Sequence, residues 1–537
     1  MKKIYFSFIC FLFLWSFASG QNTQISPSNL QLAQLTYDQI KAISSPAKGM
    51  MNYDITFNCV RVFDGNTWKS VDFNSNNNSL KVGYKLGEAN SGTNSNAKVI
   101  NMIIDNSNNT ILIGSFSGGF KFGSVPLFNT NPSSFVAKYD SNCNLLWIKE
   151  IKGCLFFTNN KIVLNNLGEI IICGTSTGNL IFGSQNVSTN GLYDGFLAKV
   201  NTSNGNCIWL QRFGGSGIDH ATSLTKDNND NYYVVGKIEG ITSIGSTSST
   251  IGSSSTNNLV ILKFSDLGIF ISSVLVVNSG NIIDITIFDT PNSNDISVGV
   301  TGYLTGNATF GSFLLTATST NYIYTCFIAQ YSFNSNSWSW AKTIGGDNSQ
   351  GLRIISKNQT YYLVGINSNT FTIQTSCGIK TITPPVVCSL SPNFFICNFN
   401  FGNVGWLNTI TNIIYDRGVF LDVDSMQNLY VLGTSGPGSN GKTKFDDISI
   451  STEGLSDTFI CKMGVNTGNF LWAEKFGGGN NDNINAGGFT RDSNNFLHLV
   501  GGFTKRMMIG SNNLTTDPAF GYNGYTSALF KATFFKE

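Results

Sequence analysis

The strongest constraint in this sequence is a segment that keeps returning. "DTFICKMGVNTGNFLWAEKFGGGNNDN" at 457–483 reappears in diluted form as "DGFLAKVNTSNGNCIWLQRFGGSGID" at 194–219 and as "SFVAKYDSNCNLLWIKEIKGC" at 134–154. Short alternating apolar runs that end in glycine recur with it, at Gly114, Gly174, Gly236, Gly299, Gly365, Gly433 and Gly501, spaced by 60, 62, 63, 66, 68 and 68 residues. A period of this size points to a stacked repeat array rather than to one irregular core.

Each copy contains the same succession of parts. An apolar run such as "AKVINMII" precedes a polar turn such as "DNSNN" or "KDNNDN", and the run ending in glycine follows. A variable segment comes next, often containing Phe-Gly (Phe122 and Gly123, Phe182 and Gly183, Phe310 and Gly311), and leads to a Phe-x-Ala-Lys strand. A strand centred on Trp147, Trp209, Trp340, Trp406 or Trp472 closes five of the copies, often before Gly-Gly. Alternation and β-branched or aromatic content predict a strand for each part. Four antiparallel strands in about 65 residues cannot bury both faces of their own sheet, so neighbouring sheets must stack. The expected fold is all-β: a seven-bladed β-propeller of four-stranded antiparallel blades, an architecture that leaves few open edges. Immunoglobulin-like sandwiches need about 100 residues each, and helical repeats need a helical period that these runs lack. A buried tryptophan removes about 150–250 Å² from water, roughly 4–6 kcal/mol gross, so its repetition marks the packing layer between blades.

The two ends complete the layout. The seventh copy stops after "SALFKATFFKE" without a tryptophan strand, whereas "KVGYKLGEANSGTNSNAKVI" at 81–100 has the form of a fourth strand and its turn. Residues around Leu80 to Leu86 are therefore predicted to close the ring as an N-terminal strand in the last blade. Ahead of them, "LTYDQIKAISSP" predicts a short helix capped by Thr36, with Gln39 completing a capping box and Leu35 packing on Ile40. "KGMMNYDITFNCVRVFDGNTWKSV" predicts a β-hairpin that turns at Asp64, Gly65 and Asn66, with Trp68 packing back. Lys2 and Lys3, the apolar run from Ile4 to Phe17, and then Ala18, Ser19 and Gly20 have the pattern of a secretory signal peptide. No later stretch reaches the roughly 18–20 apolar residues of a membrane helix. The expected organisation is a signal peptide at 1–20, a helix and hairpin module at 21–75, and a propeller at 76–537.

Three stretches, "FGSVPLFNTNPSSFVAKYD", "WLQRFGGSGIDHATSLTKDNNDNYYVVG" and "FDDISISTEGLSDTFICKMG", resemble the bacterial seven-bladed β-propeller repeat family, over roughly residues 80–537. The third copy departs from it, with Leu262 for the usual alanine and no tryptophan, and the fifth has Ile373 and Gln374 in place of Phe-Gly. The helix and hairpin region, about 40 residues from Leu35 to Val71, resembles a small module of bacterial surface and fibre-like proteins. The resemblance implies a secreted or surface-associated bacterial protein and brings no catalytic residues with it.

Chemistry is thinly represented. The 33 basic and 31 acidic residues give no clustered positive field for nucleic acid or an acidic membrane. There are two histidines, His220 and His498, each read as structural or exposed, and no nucleophile elbow, zinc-protease pair or phosphate loop. Asp105, Asp227, Asp424 and Asp492 fall between first and second strands, where a carboxylate supports an Asx turn; without a full calcium loop, the turn is preferred over a calcium site. Asp219, Asp416 and Asp482 follow the tryptophan strands and form a possible ligand rim at one mouth of the channel. Cys397 and Cys461 stand where other copies have alanine and read as packed thiols, Cys377 and Cys388 flank "GIKTITPP" and could staple a hairpin, and Cys143 with Cys154 is a weaker pair. "NTGNFLWAEKFGG" also resembles the docking motif of quinone-cofactor propellers, though adjacent cysteines are absent. No cofactor, metal or catalytic residue is assigned. The resulting expectation is a non-enzymatic exported propeller, secreted or held in the cell envelope. It would bind a protein or glycan through the variable segments between second and third strands, of which 122–138 and 373–398 are examples. A hydrolase, lyase or quinoprotein acting in the channel is the alternative.

Overall fold

The computed structural model describes residues 32–534 apart from short segments, the longest of them 72–81, 383–392 and 516–527, so the leader lies outside the described residues. Two compact units are present, 1–78 with 536–537, and 79–535. In the first, Met51–Asp54, Cys59–Phe63 and Trp68–Val71 form an antiparallel meander, and Gln34–Leu35 joins Met51–Asp54 in parallel. Phe63 pairs with Trp68, and their rings lie 5.4 Å apart, so the tryptophan packs back on its hairpin. Part of the predicted helix, the cap Thr36 included, lies outside the described residues. Only Gln39 and Ile40 are helical among the described residues there, and Leu35, expected as a staple, runs extended beside Asp54.

The second unit repeats one pattern, a four-stranded antiparallel sheet. Sheet 1 uses 96–104, 110–122, 125–139 and 145–155; sheet 2 uses 162–164, 170–182, 194–200 and 207–215; sheet 3 uses 220–226, 232–239, 257–264 and 270–277. Sheet 4 uses 281–287, 297–304, 325–332 and 337–344; sheet 5 uses 349–357, 360–367, 393–400 and 403–411; sheet 6 uses 420–423, 428–435, 457–464 and 470–476. A further sheet, sheet 7, takes 485–491, 497–503 and 528–534 from the end of the chain and Val82–Ala89 from near its beginning, with Thr533 opposite Val82 and Ala528 opposite Glu88.

The core lies between sheets rather than within them. Ile111, Ile113 and Val136 of sheet 1 pack on Ile172, Leu180 and Phe196 of sheet 2, and Val235 and Ile261 of sheet 3 pack on Val298 and Val300 of sheet 4. Val99, Leu112 and Phe135 of sheet 1 pack on Leu86, Val500 and Leu529 of sheet 7. Such face-to-face stacking of small antiparallel sheets, each supplying half of two cores, makes the chain an all-β propeller.

The repeated glycine has a physical cause. The first strands of sheets 1, 3, 4, 5 and 7 each carry a register shift at a matching place, as between Ala221 and Ser223 or Ile282 and Asp284. The shift pushes a carbonyl towards the second strand. A Cβ on Gly236 would lie 1.8 Å from the His220 oxygen, and one on Gly302 2.0 Å from the Asn281 oxygen. Sheet 4 corrects the repeat spacing: the equivalent glycine, opposite Phe327, is Gly302, while Gly299 is opposite Gln330 and lies against Tyr361 of sheet 5.

Tryptophan works across the gap to the next sheet. One in the fourth strand of each of sheets 1, 2, 4 and 5 lies over a left-handed glycine in the turn between third and fourth strands of the following sheet. The couples are Trp147 with Gly205, Trp209 with Gly268, Trp340 with Gly402 and Trp406 with Gly468. The indole nitrogens of Trp147, Trp209 and Trp406 donate to carbonyls of that same turn, at Thr202, Asp266 and Val465. Sheet 3 has Ser272 in the tryptophan place, opposite Lys263, and the next turn has Asn336 rather than glycine at its left-handed position.

Candidate functional site

The residues that follow the register shifts meet in a buried polar belt. Asn101 of sheet 1 donates to the Asn160 carbonyl, and the Asn160 amide donates to the Ala221 and Thr222 carbonyls of sheet 3. Thr222 donates in turn to the Ile282 carbonyl of sheet 4. Asp284, fully buried in sheet 4, is the centre of the belt. It accepts from the Ser223 hydroxyl at 2.7 Å, the Lys161 ammonium at 2.7 Å, and the backbone N–H groups of Ile285 and Ile354 at 2.9 Å each. Lys161 precedes the first strand of sheet 2, so its ion pair with sheet 4 passes across sheet 3. That contact requires the first strands to converge on a common centre. Lys161 also donates to the Ile285 carbonyl, and buried Arg353 donates from Nε to the Val419 carbonyl of sheet 6 while its guanidinium lies over the Phe420 ring.

Charge in this setting is held by its neighbours. Burial pushes the Lys161 ammonium below its ordinary value, and Asp284 pulls it back up. Burial likewise lowers the Arg353 guanidinium, with Asp284 opposing. Four donors converge on the Asp284 carboxylate, Ser223, Lys161 and Ile285 N–H on Oδ1 and Ile354 N–H on Oδ2. The belt therefore anchors sheets 1 to 6 to one another. Sequence reading passed over Lys161, Asp284 and Arg353. The available signal was a charge inside an apolar first strand, in "NIIDITI" and "GLRIIS".

Of the residues assigned to a ligand rim, Asp219 is fully buried. Its carboxylate accepts from Gly215 N at 2.8 Å, Glu239 N at 3.0 Å and the Thr242 hydroxyl at 3.1 Å, so it ties the end of sheet 2 to the hairpin of sheet 3. Asp416 and Asp482 lie outside the described residues, as do Cys377 and Cys388. Burial pushes the Asp219 carboxyl up to about 6, against the pull of its three donors. In the unfolded chain the same group ionises near 3.8. Between these values the folded state holds a proton that the unfolded state has lost, so stability falls as pH rises from about 4 to about 6. Asp219→Asn should remove that slope, worth about 2–3 kcal/mol at most, from a chemical-denaturation profile taken across this range.

The other singled-out residues have internal partners. Asp105 accepts from the N–H groups of Ser107 and Asn109, Asp227 from those of Asn229 and Asn231, Asp424 from Asn428 and Asp492 from Phe496, which are the expected Asx turns. Tyr233, Tyr430 and His498 reach the second oxygen of Asp227, Asp424 and Asp492. His498 is buried, and that burial lowers its proton affinity; His220 is half-buried beside Tyr193, lowered for the same reason. Cys397 and Cys461 are buried free thiols, and Cys143 and Cys154 are both free.

The variable segments are more regular than the sequence implied. Residues 110–122 and 125–139 pair through to Phe122 opposite Val125, so this part of sheet 1 is a long hairpin rather than a loop. Shorter hairpins follow at 308–315, 371–382, 442–451 and 506–515. The Phe-Gly signature is the hairpin turn itself, with Phe122, Phe182 and Phe310 driven into the core beside it. Between second and third strands, five consecutive sheets present a large exposed apolar side chain: Phe128, Leu192, Ile241, Leu314 and Ile379, each more than half exposed.

No family model matches the chain. Over 158 residues it is 27% identical to an uncharacterised WD repeat-containing protein of Acanthamoeba polyphaga mimivirus, a stretch that is 25% of this chain and 11% of that protein. The chain thus spans about a tenth of the length of that relative. Similar solved structures include the Dos1 propeller, at 7% identity and TM-score 0.38 over 84% of this chain and 94% of that one. Quinohemoprotein alcohol dehydrogenase from Comamonas testosteroni is similar at 10% identity and TM-score 0.35, over 84% and 76% of the two chains. The WD40 domain of SCAP from fission yeast is similar at 8% identity and TM-score 0.30, over 84% and 98%.

Proposed function

We propose that this chain is a non-enzymatic, exported binding protein: a seven-bladed propeller, closed by Val82–Ala89, that holds a protein or glycan partner with the hairpins between second and third strands. One observation carries the reading. An exposed apolar side chain recurs in the hairpins or their flanking loops in five consecutive sheets, at Phe128, Leu192, Ile241, Leu314 and Ile379, with Asn, Ser and Thr frequent around them. Single exposed apolar residues are ordinary on a protein surface, but one in the corresponding inter-strand segment of five consecutive sheets supports a contact surface. Amides and hydroxyls around them suit hydrogen-bonded recognition of a sugar or a protein. The central titratable groups favour binding over catalysis, because Asp284 and Lys161 are engaged with each other. The leader pattern at 1–20 supports export to the envelope or beyond.

The purified chain should bind a defined subset of ligands on a glycan array, or one envelope protein in a matched panel. The combined variant Phe128→Ser, Leu314→Ser, Ile379→Ser should weaken that binding by about tenfold or more, as loss of apolar contact predicts. Unchanged affinity in a folded variant refutes the assignment of the surface. Closure has its own test. Deleting 82–89 strips sheet 7 of its fourth strand and exposes Leu529 and Val500, so the whole array should melt earlier and less cooperatively; unchanged melting contradicts closure.

A further inference from the structure

The outer edges of the sheets are not protected alike. The fourth strands of sheets 1, 2, 5 and 7 are each joined by a strand from the following sheet: Ile151 pairs with Phe182, Phe213 with Ile244, Ile410 with Phe445, and Gly87 with Phe122. Among the described residues, the fourth strands of sheets 3, 4 and 6 have no such partner. Two of them carry charge, Lys342 in sheet 4 and Glu474 with Lys475 in sheet 6. Charge on an open edge discourages pairing with another chain.

The third, Phe270–Val277, reads "FISSVLVV" and has no charge; the uncharged run extends from Leu267 to Ile283. Its outward face carries Ile271, Leu275 and Val277 with the uncharged Ser273 between them, Ile271 49% and Val277 63% exposed, and Leu267 and Ile269 continue the ridge in the preceding turn at 69% and 57%. Ala308–Phe310 of sheet 4 packs by Val276 at the far end without hydrogen-bonding to the strand. An open, apolar, uncharged edge is a template for one more strand.

We infer that this edge pairs with the same edge of a second copy of the chain, the two 270–277 strands running antiparallel about a twofold axis. The edge itself argues for that occupant. Peptides captured by a sheet edge gain specificity from side-chain pockets or charges, and this ridge offers neither, whereas a second uncharged alternating strand with a free side matches it along its length. Its own mate is such a strand. Antiparallel pairing also separates the nearest charges: Asp266 of each copy lies at opposite ends of a joint about 27 Å long, whereas parallel pairing sets them side by side. This joint is independent of the hairpin surface proposed for ligand binding.

Sedimentation velocity of the full chain over a hundredfold dilution series tests the inference. The expected result is a reversible dimer whose dissociation constant rises by about a hundredfold or more in Ser273→Lys, where two ammonium groups meet near the axis. Ser339→Lys, on the exposed fourth strand of sheet 4, should leave the dimer unchanged. Should Ser273→Lys fail to fold, hydrogen exchange of the unsubstituted chain replaces it: amides in 270–277 should gain protection as concentration rises. A monomer at every concentration, a dimer indifferent to Ser273→Lys, or concentration-independent exchange overturns the inference.

Discussion

Asp284→Ala is expected to destabilise the protein by about 3 kcal/mol, since it strips the counter-charge from a part-buried cation and leaves buried donors without an acceptor. The carboxylate receives Ser223, Lys161, Ile285 N–H and Ile354 N–H, which come from the sheet 3 strand, the segment before sheet 2, its own strand and sheet 5. Removing it therefore loosens several sheets together rather than one. The double variant Lys161→Met, Asp284→Ala should recover part of the loss, because the uncompensated cation is gone; the coupling is read from a double-mutant cycle in urea. An Asp284→Ala protein that unfolds at the midpoint of the original chain would contradict the belt's role.

The second large effect concerns the tryptophan layer. Trp406 is 8% exposed, its indole nitrogen donates to Val465, and its ring covers Gly468 of the next sheet. Trp406→Ala should cost about 3–5 kcal/mol by cavity formation and lost burial. Gly468→Ala should cost roughly 2–3 kcal/mol, combining a left-handed φ of 70° with a Cβ placed 2.4 Å from the indole. The two should be markedly non-additive: once the ring is removed, the methyl group has space, and only the backbone term remains. Equal and additive losses in thermal unfolding would show that ring and glycine do not touch in solution.

Much of this architecture can be read from the chain, because the forces that shape it repeat. Period, strand pattern and tryptophan recurrence all arise from sheets that bury their faces against neighbours, and such burial leaves an apolar trace in every copy. Gly302 was missed in favour of Gly299 because both end short apolar runs, and only register distinguishes the one facing Phe327. Asp219 was read as a rim residue from its place after a tryptophan strand. Its partners, Glu239 and Thr242, lie some twenty residues on in another sheet, and spacing carries no information about such a contact. The belt was illegible for a related reason. Lys161 and Asp284 are 123 positions apart, and nothing local in either segment announces the other. At the N-terminus, the capping pattern points to a helix that Gln39 and Ile40 show, while the pairing of Gln34 and Leu35 with Tyr53 and Asp54 left no local trace.

The couple between a tryptophan and the following sheet's turn bears on how such a chain can be shortened or lengthened. Tandem duplication of sheet 2 or sheet 5 keeps the match, because each carries both the tryptophan and, in its own turn, the left-handed glycine that the preceding ring needs. Excision is less forgiving. Cutting out sheet 3 would bring Trp209 onto the turn of sheet 4, where Asn336 holds the left-handed place and its side chain receives the Tyr331 hydroxyl. A ring made for a bare backbone would then abut an amide already in use, so heredity by duplication is open to this molecule at sheets 2 and 5, while loss of sheet 3, like a second copy of sheet 4, demands a compensating change at Asn336.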